Sequence, residues 1–264
     1  MSLKDNLLSL NNLRKFAGFA ILNQAINADF KLEAYNAMPQ SRVLVLSPHP
    51  DDDVIGCGGT IKLHSESGSI IKTVYLTDGS GGSGKLTKEK QQKLVSLREN
   101  EARKAAEIVG ANDLVFWRYQ DGRLPVNKTT EKLLSTLISD FQPDIIYAPS
   151  FLDPHPDHLA TVRILANALK KLPYEGIIYF YEIWAPLYIN RLVNIDQTVD
   201  KKELAVLSHE SQIKERSYFD AVMGLNRYRA GMYNAGTYAE GFLSTTKELF
   251  LKLFDIANFK INKK

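Results

Sequence analysis

Residues 42–60 read RVLVLSPHPDDDVIGCGGT. The run 42–46 is short, apolar and rich in branched side chains, which reads as a buried strand. Pro48 and Pro50 interrupt it, three aspartates follow, and a helix is expected over 56–66. A strand that yields to a helix through histidine and acids predicts a βα unit with its chemistry at the strand's carboxyl end. The chain repeats the arrangement once. An apolar run at 145–148 leads to His155-Pro156-Asp157-His158, and a helix is expected from 158 to 172.

Between and beyond these units the alternation continues. Strands are expected at 70–76, 114–117 and 177–181, the last closing the pattern, and helices at 88–109 and 130–141. Apolar strands alternating with helices imply an α/β fold, a Rossmann-like three-layer sandwich with a mostly parallel sheet and helices on both faces. Leu3, Leu7, Leu10, Leu13, Phe16, Phe19, Leu22 and Ile26 lie near helical spacing and predict an N-terminal helix or helix pair. Helices are also expected at 201–211 and 244–257, around an irregular Tyr- and Gly-rich stretch at 228–241. No Pro/Ser linker or internal repeat divides the chain. Residues 1–264 are therefore read as one domain, with a helical extension over 1–40 and a helical, irregular C-terminal part over 213–264.

Composition narrows the classes. The 264 residues are 44% hydrophobic and 24% charged, which disfavours disorder. The formal charge is +3, with basic residues interleaved among acids, so nucleic-acid binding has no electrostatic support. Cys57, the sole cysteine, excludes an intrachain disulfide and a multi-cysteine zinc site. No apolar run reaches membrane-spanning length. The stretch 16–22 lacks a cleavage pattern, and the leader lacks the basic face of a membrane-surface helix, so the cytoplasm is the expected compartment.

The two clusters carry the chemistry. Either one alone has a plainer explanation, since Asp-rich loops cap helices and His-Pro is common in turns. Two of them, each directly after a buried strand, point to one site at the sheet's carboxyl edge. A catalytic zinc commonly takes three protein ligands and keeps a position for water, and His49, Asp52 and His158 would supply such a set. Asp51 would stand beside the acidified water as general base. His155, if protonated, could donate to the oxyanion formed when water attacks a carbonyl. The same two-His, one-carboxylate set also serves non-haem iron, so Fe2+ stays open beside Zn2+. His64 is expected to be exposed in part or packed, and Cys57 to be a small buried residue.

Two glycine motifs are set aside. Residues 79–86 nearly match a phosphate-binding loop, but Leu86 stands where a Ser or Thr hydroxyl is required. Residues 56–61 resemble a dinucleotide loop, but Ile61 replaces the third glycine. Glycines here are expected to let backbone approach a metal or substrate closely.

The ordered motifs resemble a known family. They are Pro48-His49-Pro50-Asp51-Asp52-Asp53, Gly56-Cys57-Gly58-Gly59-Thr60, Thr77-Asp78-Gly79 and Arg98-Glu99-Asn100-Glu101, then Tyr119-Gln120-Asp121-Gly122 and His155-Pro156-Asp157-His158, and more loosely Ser208-His209-Glu210-Ser211-Gln212. Over residues 42–212 the chain is similar to the PIG-L/LmbE-like zinc-dependent N-acetylglucosaminyl deacetylases. The resemblance implies His49, Asp52 and His158 as zinc ligands, Asp51 as base and then acid, and His155 as stabiliser of the tetrahedral intermediate. It further implies Asp157 as an orienting group for one histidine and Arg98 as a contact for substrate hydroxyls or phosphate, with an ion pair to Glu101 or Asp78 as the alternative. Asp53 stands where the family usually has Glu, giving that supporting contact a shorter arm. An acetylated sugar or glycoconjugate is the implied substrate. Oligomer contacts and substrate preference are expected outside the core, and a homo-oligomer is compatible with the pattern. The rival classes are a non-catalytic sugar-binding or regulatory protein on the same fold, an iron enzyme, and an enzyme docked to a lipid-linked sugar by its N-terminal helix.

Overall fold

A computed structural model describes residues 32–83, 87–213 and 218–258. The strands are β1 (Glu33–Tyr35), β2 (Arg42–Ser47), β3 (Ile70–Thr77), β4 (Asp113–Tyr119), β5 (Ile145–Pro149), β6 (Ile177–Tyr181), β7 (Arg191–Asn194) and β8 (Ala239–Thr245). The helices are α1 (Asp52–Glu66), α2 (Lys88–Val109), α3 (Lys128–Phe141), α4 (Pro156–Leu169), α5 (Val199–Leu207), α6 (Glu210–Ile213), α7 (Tyr218–Tyr233) and α8 (Lys247–Asn258).

The eight strands form one sheet in the order β1-β7-β8-β6-β5-β2-β3-β4. All neighbouring pairs are parallel except the two made by β8, which runs antiparallel to β6 and β7. From β2 the chain moves outward through β3 and β4, then crosses to the other side of β2 to form β5 and β6. The reversal makes the β2–β5 boundary a topological switch point, where the loops after two adjacent strands part and leave a crevice. Val43 pairs with Ile145 and Val45 with Tyr147 across it.

Alternate residues of each strand feed opposite faces. Leu44, Leu46, Ile146, Ala148 and Phe180 join Leu134, Ile138, Leu165 and Phe250 of the helices on one side. Val43, Val45, Tyr147, Tyr179 and Tyr181 join Val54, Ile61, Ala105, Val109 and Val206 on the other. This double burial is why the strands read as continuous apolar runs.

Local signals explain the boundaries. Thr87 caps α2 by accepting from Lys90 N–H, and Gly110 ends it in the left-handed region. Asn127 and Thr130 form a reciprocal capping box on α3. Both site helices begin earlier than expected. α1 starts at Asp52 rather than 56, and α4 at Pro156 rather than 158, because acids in a first turn and proline at its start suit a helix N-terminus.

The pattern does not close at 181. Residues 228–241 are not irregular, since α7 runs to Tyr233 and β8 begins at Ala239; Ser244 and Thr245 end that strand instead of starting a helix. The stretch 201–211 divides into α5 and α6. The expected helix over residues 3–26 lies outside the described residues. Among the described residues no helix is long and apolar enough to cross a membrane.

Candidate active site

The switch point brings the two clusters together. His49 lies in the loop after β2, and Asp52 and His158 lie in the first turns of α1 and α4. His49 Nδ1 is 2.9 Å from Asp52 Oδ2, His158 Nε2 is 3.2 Å from the same oxygen, and the two ring nitrogens are 3.3 Å apart. A tetrahedral ion with bonds of about 2.0–2.1 Å separates its donors by about 3.3 Å. The three atoms therefore fit one cation. His49, His155 and His158 also present ligand atoms within 4.8 Å of one another, as do His49, Asp121 and Asp157.

Charge at this point favours a cation. Burial opposes protonation of His49, but Asp52, Asp121 and Asp157 outweigh it and hold the imidazole well above its usual range. His158 rises to about 9, with burial again overcome, here by Asp52 and Asp153. Burial also works against ionised Asp52, yet the two imidazoles hold it well below the usual carboxylate range. A divalent ion satisfies the same carboxylate and displaces those protons.

The outer nitrogens are also engaged. His49 Nε2 lies 3.3 Å from both Asp121 Oδ1 and Asp157 Oδ2. Asp157 is itself fixed by the backbone N–H groups of Gly122 and Leu124. His158 Nδ1 is 3.1 Å from Asp153 Oδ2, off the line of a hydrogen bond. Asp153 accepts from the backbone N–H groups of His155 and Trp184. Such outer carboxylates orient metal-binding imidazoles.

Asp51 sits immediately before α1 but makes no side-chain cap. Its Oδ1 faces Arg98 Nη2 at 3.1 Å. Arg98 is 3% exposed and also donates from Nη1 to the Gly79 carbonyl at 2.6 Å. The alternative ion pairs considered for it do not form. Glu101 instead accepts from the backbone N–H and hydroxyl of Ser211, and Asp78 accepts from Ser80 and Asp121 N–H.

His155 caps α4, its Nδ1 accepting from Asp157 N–H at 3.3 Å. The proton of the neutral ring is thus on Nε2, and His155 need not be protonated to donate. Burial and the neighbouring imidazoles of His49 and His158 lower its pKa. Asp53 is fully buried, accepts from Tyr75 OH at 2.9 Å, and is pushed by burial up to about 7. It supports the loop from behind.

These residues open onto a cleft of about 410 Å³ lined by His49, Asp51, Asp52, Arg98, Asp121 and His155, with Ile55, Ile183, Trp184, Gln212 and Tyr218 among the rest. Trp184 stands parallel to the His155 ring at 6.3 Å, and its side is open to the cleft.

Sequence reasoning assigned no role to Asp121 or Asp153. Asp121 lay inside a quoted motif, and Asp153 stands two residues before His155; both carry a signal only once the fold places them against an imidazole. The glycine-rich loop packs closely against two of the site's side chains. Gly79, at φ +64, leaves no space for a Cβ, which would meet Arg98 Cζ at 2.7 Å. Gly81 N–H donates to Asp121 Oδ2. The loop holds the Arg98 guanidinium through the Gly79 carbonyl and the Asp121 carboxylate through the Gly81 N–H.

The fold and this edge of the sheet define an α/β protein with a candidate metal site at a topological switch point, and comparison with known proteins is specific about which kind. Residues 44–169 match the family model PIG-L, GlcNAc-PI de-N-acetylase. The chain is 32% identical over 209 residues to the diacetylchitobiose deacetylase of Thermococcus kodakarensis, covering 71% of this chain and 75% of that one. It is 32% identical over 236 residues to the 4-oxalmesaconate hydratase of Pseudomonas putida, covering 78% and 90%. The solved N,N'-diacetylchitobiose deacetylase of Pyrococcus horikoshii superposes with a TM-score of 0.71 at 25% identity, covering 95% of both chains. The protein belongs to the PIG-L family of LmbE-type deacetylases.

Proposed function

We propose that this protein is a zinc-dependent N-deacetylase that hydrolyses the acetamide of an N-acetylglucosamine-type sugar or glycoconjugate. The observation that carries the reading is the closed triangle of His49, Asp52 and His158 with the Asp51 carboxylate beside it. Those three residues would hold a zinc ion, which would supply a Lewis acid and acidify a water toward neutral pH. Iron(II) suits the same donors, and the adjacent carboxylate favours hydrolysis with either ion.

Asp51 accepts a proton from the attacking water and returns it to the departing amine nitrogen. Arg98 keeps its carboxylate turned to the cleft. His155 donates from Nε2 to the acyl oxygen as negative charge develops there. Asp157 and Asp121 fix the ring of His49, and Asp153 that of His158. Trp184 offers an aromatic surface to the apolar face of a pyranose.

The hydratase relative makes water addition to an organic anion the competing reaction. Of the described cleft residues Arg98 alone carries a permanent positive charge, and Asp51 takes it, which supports an uncharged amide over a carboxylate substrate. A non-catalytic role is disfavoured because every proposed position holds a competent residue. The strands of residues 42–181 and β8 of the C-terminal part share one sheet, which supports reading the chain as one domain. The cytoplasm remains the compartment we assign, on the sequence pattern.

The test is acetate release from N-acetylglucosamine and N,N'-diacetylchitobiose by protein stripped with chelator and reloaded with one equivalent of zinc or iron(II). Metal-dependent release is expected. No release, together with hydration of 4-oxalmesaconate, overturns the assignment.

A further inference from the structure

A side pocket of about 170 Å³ adjoins the cleft. Ile55, Ile183, Trp184 and Tyr218 line both spaces. Beyond them the side pocket is bounded by Val222 and Leu225 of α7. Glu182 borders it but is already taken by Arg229, whose Nε donates at 3.1 Å, and by Leu187 N–H at 2.6 Å. Asn226 borders it too, with its Oδ1 shut off from the pocket space. The pocket is thus a mainly apolar chamber. A dry cavity of about 150 Å³ lined by aliphatic residues accommodates benzene.

Its place matters as much as its size. Ile55 stands one helical turn beyond Asp51 and Asp52, the proposed base and metal ligand. The chamber therefore opens beside the position of the reacting acyl group. We propose that it is a subsite for an apolar group of about six carbons carried by the substrate. This rests on the deacetylase reading and deepens it: the site that hydrolyses acetamides binds more tightly a substrate that also carries such an apolar group. The position of Ile55 favours the acyl chain as the source of the group. An alkyl or aryl aglycone presents the same chemistry, and the experiment separates the two.

Affinity is measured by calorimetry on zinc-loaded Asp51→Asn protein, in which turnover is expected to be slowed by about 10²-fold or more. The ligands are the methyl glycosides of N-acetyl- and N-hexanoylglucosamine and the phenyl glycoside of N-acetylglucosamine. The same compounds are assayed for acyl release by the unaltered enzyme. The N-hexanoyl compound is expected to bind at least tenfold more tightly than the N-acetyl one, since each buried methylene adds a favourable increment. Val222→Phe, which fills the chamber, brings that ratio close to one. Leu225→Ala, which enlarges it, moves the gain to N-octanoylglucosamine, an effect that a merely destabilised protein does not produce. A gain for the phenyl glycoside alone supports the subsite with an aglycone as occupant. Equal affinities throughout, or a gain indifferent to both substitutions, overturn it. Failure of the deacetylase reading has a different signature: no acyl release from any compound, while the calorimetric ratios still report on the chamber.

Discussion

Arg98 Nη2 stands 3.1 Å from Asp51 Oδ1, and the guanidinium reaches that place because Gly79 has no side chain. A residue that read from its motif as a substrate contact is thereby turned toward the proposed base. Arg98→Lys removes the planar fork that spans Asp51 and the Gly79 carbonyl. A fall in kcat of about tenfold to a hundredfold is expected, with KM changed less, as for loss of positioning. Steady-state kinetics on an acetylated sugar checks it, and a rise in KM at constant kcat would return Arg98 to substrate binding.

Asp51→Asn keeps the shape of the site and removes the proton acceptor. Its kcat is expected to fall by about 10²- to 10⁴-fold, the range typical of general base catalysis, with metal content unchanged. Assay and metal analysis on the same preparation make the check. Near-normal turnover would remove Asp51 from the mechanism.

Metal stoichiometry tests the triangle. About one tightly bound equivalent of zinc is expected for a three-ligand site, and His158→Ala should lose it. Because the ion binds the folded chain, chelation should also lower the melting temperature of the parent protein and leave that of His158→Ala unmoved. Tight binding that ignores His158 would separate the two loops.

Lys202 and Glu240 form an ion pair at 2.6 Å that is wholly buried. Helix α1 breaks at Cys57, and the Glu240 carboxylate accepts the N–H groups of Gly59 and Thr60 beyond the break, while Lys202 donates to Ile55 O. Lys202→Met leaves a buried carboxylate unpaired and is expected to cost about 3–5 kcal/mol. Adding Glu240→Gln should recover part of that loss. Urea denaturation of the single and double variants decides the matter, and a neutral single variant would show that the pair does not support the helix.

His64 gives a pH dependence away from the metal donors. It is buried, with Nε2 3.0 Å from Tyr147 OH, and burial lowers its pKa from 6.5 to about 4. Above pH 6.5 the ring is neutral folded and unfolded, and its contribution is fully present. Below that the unfolded chain binds a proton that the folded chain refuses, so stability falls between pH 6.5 and about 4. The loss is on the order of 3 kcal/mol at most. His64→Gln should narrow the difference in urea midpoint between pH 7.5 and pH 4.5; an unaltered difference would clear His64 of the effect.

The half of the fold that carries the candidate site was legible because its strands are buried on both faces and the proposed ligands follow those strands directly. Residues 42–46, 145–148 and 177–181 have no second interpretation of comparable strength, and the resemblance followed their loops. β1, β7 and α7 were missed because none of them shows a clear period. β1 and β7 are three and four residues long, too short for a period to show. α7 carries Tyr228, Met232 and Tyr233 exposed, which blurs its apolar stripe. Asp121 and Asp153 reach the site from loops, so their roles depend on tertiary distances that no local spacing encodes.

β8 lies between β6 and β7 although it follows both in the chain. The sheet therefore has a gap between β6 and β7 until residues 239–245 arrive. Those residues also bring Glu240 to the break in the helix that carries Asp52. During synthesis, then, the histidines and aspartates of the site are made early but acquire their support late. A nascent chain stopped before residue 239 would expose the flanks of β6 and β7, and with them a surface open to pairing with other chains.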